Sequence, residues 1–131
     1  MSKKTWEQYI DIEPISHKQP ELSRNGGVYY RKSPYKTFRD TMMRLCPTLV
    51  PKSWRRFRGA IKVDLIVVKP KPKTTKRKWP IGDVDNYSKG ILDRLNKIVW
   101  DDDDQILDLR VRKRWATPRK PVGIYLKVTS L

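Results

Sequence analysis

Carboxylates crowd one segment of an otherwise basic chain. Residues 83–104 hold seven aspartates, half of the chain's 14 acidic residues, whereas Lys and Arg together number 30. Asp83 and Asp85 form a D-x-D pair where a helix is predicted to begin, and Asp101–Asp104 follow the end of that helix. Carboxylates held together repel one another unless a cation joins them. Because Mg²⁺ prefers such oxygen ligands together with water and phosphate, the segment is a candidate metal centre for phosphodiester chemistry.

A cation lies within the same pattern. Lys89 is four residues after Asp85, and Asp93 is one further turn along, so all three share one helix face. A lysine beside a metal centre stabilises a phosphate or the negative charge that develops on it. Simpler interpretations stay open: Asp85 as a helix N-cap, Asp83 as a complement to the positive helix end, and Lys89 as a solvated partner of its neighbours. The four consecutive aspartates are equally compatible with a solvated turn.

The two acidic groups are separated by the predicted helix. Fourteen residues at about 1.5 Å each place its ends roughly 20 Å apart. A residue just before Gln105 therefore reaches Asp83 only if the helix is short or the chain doubles back along it. The sequence alone leaves this contact open.

Hydrophobic periodicity supplies the surrounding elements. Helical spacing of Phe38, Met42 and Leu45 predicts a helix that starts at Ser33-Pro34 and ends before Pro47, and a second apolar stripe predicts a helix over about 85–98. Alternation and short apolar runs predict strands at residues 5–15, 28–30, 59–68, 105–114 and 122–128. We expect 59–68 to be a central strand, the last two strands to form a hairpin, and residues 16–27 to form a loop or turn. The fold class is therefore α/β in the α+β sense, a small mixed β-sheet with two main helices.

Composition indicates a polyanionic partner. The chain has 131 residues, enough for one domain spanning 1–131, and a formal net charge of +16. Such a charge favours nucleic acid as the partner. Residues 69–78, with six cations and two prolines, should form an exposed, mobile loop. The candidate DNA-binding residues are the cations of that loop and of the strand at 105–114: Lys69, Lys71, Lys73, Lys76, Arg77, Lys78, Arg110, Arg112 and Arg114.

The sequence lacks the residues that several other classes of site need. With one cysteine, Cys46, and one histidine, His17, the chain forms no internal disulfide and no Cys/His zinc site. No apolar stretch is long enough to cross a membrane, and the N-terminus does not resemble a signal peptide. We therefore expect a cytoplasmic protein. Trp54, Phe57 and Trp79 lie among basic residues and are candidates for stacking on unpaired bases, although packing into a core is the commoner fate of such side chains.

The acidic segment as a whole resembles the RusA family of Holliday-junction resolvases. The run Asp83-Val84-Asp85-Asn86-Tyr87-Ser88-Lys89 matches the family's D-x-D-N-x-x-K helix, and Asp102-Asp103-Asp104-Gln105 matches its D-D-x-Q about twenty residues later. A basic run precedes the D-x-D in the family as well. The likeness extends weakly upstream to residues 27–39. It covers most of the chain, but only residues 82–105 are specific.

The resemblance implies particular roles. Asp83, Asp85 and Asp103 correspond to the metal-ligating, catalytic carboxylates, and Lys89 corresponds to a catalytic cation directed at phosphate. Alignment on Gln105 selects Asp103; a shift of one residue would select Asp102 or Asp104 instead. Family members are homodimers that cut branched DNA with Mg²⁺ or Mn²⁺, and many are encoded by bacteriophages or prophages, which implies a bacterial host cytoplasm.

Three functions are compatible with these patterns. The first is a structure-selective endonuclease that resolves four-way junctions by paired cuts, for which two active sites in a two-fold dimer are the natural assembly. The second is a non-enzymatic basic nucleic-acid-binding protein, which explains the charge but leaves the ordered Asp-Lys-Asp pattern without a role. The third is a metal nuclease that acts on flaps or RNA.

Overall fold

Two α-helices and six strands make up the described part of the fold. The structure is a computed structural model, and it describes residues 3–16, 20–22, 28–30 and 32–131. The elements are β1 (Thr5–Ile10), β2 (Pro20–Leu22), β3 (Val28–Tyr30), α1 (Lys32–Leu45), β4 (Ile61–Lys69), α2 (Val84–Leu95), β5 (Ile106–Trp115) and β6 (Gly123–Ser130). Short 3₁₀ helices cover Cys46–Leu49 and Asp103–Gln105. The α+β class predicted from the sequence is confirmed.

The main sheet has the strand order β1-β6-β4-β5. Strand β4 is central, as predicted, and pairs antiparallel with β6 and parallel with β5. The expected hairpin between β5 and β6 is wrong, because β6 inserts between β1 and β4. The α2 crossover makes β5 a parallel neighbour of β4, and the chain then passes β4 so that β6 pairs with its other edge. Strands β2 and β3 form a separate antiparallel pair.

The core lies between one face of this sheet and the two helices. Alternate residues of β4, from Ile61 to Val67, are fully buried on that face. Phe38 and Met42 of α1 are buried as their spacing predicted, and Leu45 packs against the core from its edge. None of the helices in the described part of the chain is long and apolar enough to cross a membrane.

Helix α2 is shorter than its apolar periodicity predicts. Tyr87, Ile91 and Leu95 are buried on its inner face, but the helix ends at Leu95 rather than near residue 98. Lys97 has a φ of 66°, and its backbone N–H donates to the carbonyl of Trp100 at 2.8 Å. The chain therefore turns back beneath the helix, and Trp100 becomes fully buried.

Most other boundaries agree with the sequence to within a few residues. β1 stops at Ile10 rather than near Pro14, and β4 continues through Lys69, so the basic loop begins at residue 70. β2 lies within the segment predicted to be a loop, whereas β3 and α1 were expected. The predicted Asn25-Gly26-Gly27 turn lies outside the described residues.

Candidate active site

The backbone before α2 is held by hydrogen bonds from the side chains of Tyr87 and Lys113. Gly82 has a φ of +100°, which L side chains rarely adopt, and a Cβ there would come within 2.9 Å of the Tyr87 ring. The Tyr87 hydroxyl donates to the carbonyl of Ile81 at 2.8 Å. Lys113 of β5 donates to the carbonyls of Pro80 at 2.8 Å and Gly82 at 2.5 Å. The turn that presents the D-x-D pair is therefore fixed before any ligand arrives.

Asp83 stands at the N-cap of α2 without acting as a capping side chain. Its carbonyl accepts the Tyr87 N–H at 3.1 Å, but its carboxylate accepts no capping hydrogen bond from the helix. Asp85, in the first turn, accepts the backbone N–H of Asn86 at 3.1 Å. Both residues are exposed. The interpretation of Asp85 as the N-cap is therefore wrong, because the N-cap is Asp83, whose carboxylate makes no capping hydrogen bond.

One exposed line runs along the outer face of α2. Asp85, Lys89 and Asp93 are all exposed at a spacing of four residues, as the helical pattern predicted. The carboxylates nearest the helix start also lie where the positive end of the helix dipole favours negative charge. This line can present oxygen ligands and a cation to one phosphate backbone.

The aspartate run beyond α2 is tied into the fold. Asp102 caps the Asp103–Gln105 helix in a capping box: its carboxylate accepts the Asp104 N–H at 3.3 Å, and Gln105 accepts the Asp102 N–H at 2.6 Å. Gln105 also donates to the carbonyls of Phe57 and Gly59, each at 2.8 Å. The interpretation of this run as a merely solvated turn therefore fails for Asp102.

Asp103 is the member of the run whose carboxylate is most perturbed. It accepts the indole N–H of Trp100 at 2.8 Å. Partial burial raises the pKa of Asp103 above its usual range, the Trp100 hydrogen bond opposes that rise, and nearby Asp93 and Asp102 add to it. Its carboxylate neighbours are thus at the C-terminal end of α2. A cation placed there would reverse the rise.

One chain does not bring Asp83 and Asp103 together. The twelve residues of α2 separate the two ends by about 18 Å. Asp83 lies beside Lys113, near the C-terminal end of β5, whereas Asp103 precedes the N-terminal end of that strand. Within the described part of the chain, no three His, Cys, Asp or Glu side chains are grouped closely enough to hold a metal ion. The distance problem visible in the sequence is therefore real.

Lys113 is the site residue that sequence reasoning missed. Burial lowers its pKa, Arg77 lowers it further, and Asp83 opposes the shift. Lys113 and Asp83 line a cavity of about 300 Å³ together with Arg77, Trp79 and Asn86. The signal available in the sequence was its position: Lys113 is the one cation of β5 that alternates onto the helix-facing side of the strand.

The predicted DNA-binding cations fall into three groups. Lys69 is 7% exposed, and its ammonium contacts the Pro14 carbonyl at 2.7 Å and Glu13 at 3.6 Å, so the fold leaves little of this side chain for contact with DNA. The remaining loop cations are exposed, namely Lys71, Lys73, Lys76, Arg77 and Lys78. Exposed too are Arg110, Arg112 and Arg114. These three alternate onto the sheet face opposite the helices, away from the D-x-D pair.

The candidate stacking residues also divide. Phe57 is buried, and Trp54 packs edge-on against it with ring centroids 5.8 Å apart. Lys4 lies over both rings, within 4.1 Å of the Trp54 centroid. These two side chains therefore serve the core. Trp79 is 60% exposed at the edge of the cavity beside Asp83 and stays available for stacking.

Comparison with known proteins places this arrangement in a family. The model of the family described as endodeoxyribonuclease RusA matches residues 11–128, which is most of the chain. The chain belongs to the RusA family. The match includes both ends of α2 and the whole of β4, β5 and the connecting aspartate run. The family assignment identifies the protein as an endodeoxyribonuclease of the junction-resolving type, acting on DNA.

A bacterial protein is similar to this chain along most of its length. The chain is 34% identical over 131 aligned positions to a Bacillus subtilis (strain 168) protein described as uncharacterized protein YqaN. The alignment covers 86% of this chain and 89% of that relative. The alignment therefore spans most of both sequences.

Proposed function

We propose that this chain resolves four-way and related branched DNA by paired, metal-dependent cuts. The observation that carries the proposal is the exposed D-x-D pair of a RusA-family chain, held on a rigid turn and free of a capping role. Asp83 and Asp85 are the proposed ligands of Mg²⁺, with Mn²⁺ as a substitute. Lys89, one turn along the same exposed face, is directed at the substrate phosphate. When bound, the ion supplies an activated water and stabilises charge on the leaving oxygen.

The third ligand comes, in this proposal, from a second copy of the chain. Asp103 is separated from Asp83 by the length of α2, so a single protomer supplies at most part of the ligand set. A two-fold axis that passes just outside the free edge of β5, level with the middle of that strand, places the partner's β5 and α2 antiparallel to these elements. The Asp103 end of one protomer then meets the Asp83 end of the other. Two equivalent composite sites result, as paired cuts require.

The edge formed by β5 has the chemistry for such a dimer. Among the described strands, β5 pairs only with β4, which leaves one edge of a ten-residue strand open. Leu107 is 70% exposed and Leu109 is 43% exposed there, which is unusual for large apolar side chains on a free strand edge. An antiparallel partner strand would cover both and continue the sheet.

The charges of residues 101–114 are complementary to those of a second copy of the same segment. Residues 101–108 carry five aspartates and no cation, whereas residues 110–114 carry four cations and no carboxylate. Antiparallel pairing centred on Leu109 sets the acidic half of one copy against the basic half of the other, and Asp108 lies next to the partner subunit's Arg110. Parallel pairing would instead oppose like charges. Electrostatic complementarity of this kind specifies the register of an interface.

Cleavage of synthetic DNA tests the activity. We expect the protein to nick a four-way junction symmetrically with Mg²⁺ or Mn²⁺ and to be inactive in EDTA. Unlabelled junction should compete far better than a flap or a linear duplex of the same length. If the protein bound junctions but cut them with neither metal, it would be a non-enzymatic binding protein. Preferred cutting of flaps or RNA would identify a different nuclease.

Mixing of two inactive variants tests the shared site. Asp83→Asn and Asp103→Asn are each expected to abolish cutting. Once subunits exchange, half of the dimers are mixed, and each mixed dimer has one complete composite site. Nicking should recover to about a quarter of the wild-type rate. If the whole site lay within one chain, the mixture would show no nicking. The matched control mixes Asp83→Asn with Asp85→Asn, whose residues lie at the same end of α2, and it should stay inactive.

A further inference from the structure

The sheet face opposite the helices forms a shallow concave surface. Alternate residues of all four strands of the main sheet point to this face, away from the core. A cavity of about 610 Å³ lies on it, roughly twice the volume of the cavity beside Asp83. We call it the open sheet face and define it by Tyr9 and Tyr125 with the cations Lys62, Arg110, Arg112 and Lys120.

Tyr9 provides a flat aromatic ring at one side of the open sheet face. It pairs across the strands with Tyr125, and the two ring centroids are 4.8 Å apart. A Cβ on Gly123 would come within 2.4 Å of the Tyr9 ring, so the absent side chain of Gly123 lets this ring lie against the β6 backbone. The Tyr9 hydroxyl donates to the Val122 carbonyl at 2.6 Å. The ring is thus held in place while 41% of the residue stays exposed.

Cations frame these two tyrosines. Lys120 lies 3.9 Å from the Tyr125 ring centroid. Arg112 is exposed on β5 in the same cross-strand row, because Tyr9 pairs with Tyr125, Tyr125 with Ile66, and Ile66 with Arg112. Three strand spacings of about 4.8 Å separate the ends of that row by roughly 14 Å. One extended strand of nucleic acid can therefore contact both the guanidinium and the tyrosine ring.

The neighbouring row explains why a single strand fits better than a duplex. Glu7, Lys127, Asp64 and Arg110 alternate in charge across the four strands, and Lys127 lies 3.7 Å from Glu7. These carboxylates disfavour the two phosphate backbones of a duplex laid across the whole face. The row that runs from Tyr9 to Arg112 lacks carboxylates and can therefore bind one backbone. Bases stack on aromatic rings only when they are unpaired, and a basic groove with such rings is the usual surface for single strands.

We propose that the open sheet face binds one unpaired DNA strand, with a base stacked on Tyr9 and a phosphate held by Arg112. This surface lies on the side of the sheet away from the D-x-D pair, so it adds a second contact to the substrate of the proposed function. It rests on that function only in taking DNA as the ligand. Binding is measurable without cleavage, so the two proposals succeed or fail separately.

Binding of labelled oligonucleotides tests this surface. Fluorescence anisotropy in EDTA compares a single-stranded 12-mer with the duplex of the same sequence. Tyr9→Leu keeps an apolar cover over Gly123 but removes the aromatic ring, and we expect it to weaken single-strand binding about tenfold, as loss of one stacked base does. Tyr9→Trp should restore it. Arg112→Gln should lower the salt dependence of single-strand binding by about 0.7 in slope, the value for one lost phosphate contact.

Duplex binding and a distant cation serve as controls. Both variants should change duplex affinity no more than Arg44→Gln, which removes an exposed cation from α1. Because Arg112 is exposed, its variant keeps the test decisive if Tyr9→Leu fails to fold. Single-strand binding within twofold of wild type in the folded variants overturns the proposal, as does an equal loss for duplex and single strand. Conversion of a dimer to a monomer by Tyr9→Leu, seen by sedimentation, would also overturn it and assign this face to a second copy.

Discussion

The two ends of α2 carry carboxylates of the same type in different structural roles. At the N-terminal end, a positive-φ glycine and Lys113 hold the backbone, and Asp83 and Asp85 are exposed on top of it. At the C-terminal end, Asp102 caps a 3₁₀ helix, Asp103 accepts the indole N–H of Trp100, and the fold uses both carboxylates. In the first case the backbone is fixed by other residues, and in the second the carboxylates themselves fix it.

This difference predicts that substitutions at the two ends of α2 affect different properties, the proposed cleavage activity at one end and stability at the other. Substitutions at the N-terminal end should remove activity and leave stability nearly unchanged, because exposed carboxylates contribute little to folding. Substitutions at the C-terminal end should lower stability, because they leave backbone donors and acceptors without partners. Asp103 belongs to both groups, since it contacts the core and is a proposed ligand.

The largest effect is expected from Asp85→Asn. The substitution preserves shape, removes one proposed ligand charge, and should reduce the rate of junction cleavage by about a thousandfold, or about 4 kcal/mol of transition-state stabilisation. The thermal midpoint should stay within 2 °C. Asp40→Asn on α1 removes the same charge at a distance and should leave cleavage within twofold; equal losses in the two variants would contradict the role of the D-x-D pair.

Gln105→Ala should be the most destabilising change at the other end. Its side chain makes three hydrogen bonds, two to the carbonyls of Phe57 and Gly59 and one from the Asp102 N–H. At roughly 1 kcal/mol each, their loss should lower the free energy of unfolding by about 2–3 kcal/mol. Chemical denaturation measures this. Gln8→Ala, which removes a 3.2 Å hydrogen bond to the Leu49 carbonyl, should cost about 1 kcal/mol. If Gln105→Ala cost no more than Gln8→Ala, the bridging role of Gln105 would be contradicted.

Asp102→Ala and Asp104→Ala form a smaller, matched pair. Asp102 is a capping side chain and Asp104 is exposed within the helix that it caps. Loss of the cap should lower the free energy of unfolding by about 1 kcal/mol, whereas the Asp104 change should stay within about 0.5 kcal/mol. Denaturation at pH 7 distinguishes them. If Asp104→Ala lowered the free energy of unfolding more than Asp102→Ala, the assignment of Asp102 as the cap would be contradicted.

The smallest effect concerns the core near the C-terminal end of α2. Cys46 is fully buried, and burial raises its pKa to about 11, with Arg94 of α2 opposing the rise. Below that pH the folded protein keeps the thiol protonated, so its reaction with a disulfide reagent should be negligible between pH 7 and 9. Labelling should appear only with unfolding in denaturant. Fast labelling of the folded protein at pH 8 would show that this end of the core opens readily.

Local patterns predicted the local elements well. Spacing of apolar residues found α1, α2 and the central strand β4, because side chains on one face of a helix or strand recur at a constant interval. The exposed line of Asp85, Lys89 and Asp93 followed from the same periodicity. The end of α2 was predicted too late, since Ile98 and Val99 continue the apolar pattern after Lys97 has turned the chain back.

The pairing of strands that are distant along the chain could not be predicted from such local patterns. The sequence predicted a β5–β6 hairpin because the two strands are neighbours along the chain, and no local pattern reveals that β6 inserts beside β4. Lys69 and Lys113 looked like their exposed neighbours, but strand pairing buries one and turns the other toward Gly82. For the same reason the open sheet face, built from four separate strands, has no signature in any one of them.

The sequence by itself determined the acidic segment, its order and its membership in a junction-resolving family, because those depend on residue types at short spacings. The tertiary structure decided where the carboxylates stand. It placed Asp83 and Asp103 at opposite ends of a rigid helix, and helix length cannot be compressed to bring them together. That separation is the reason for the proposal that the metal centre takes its ligands from two chains.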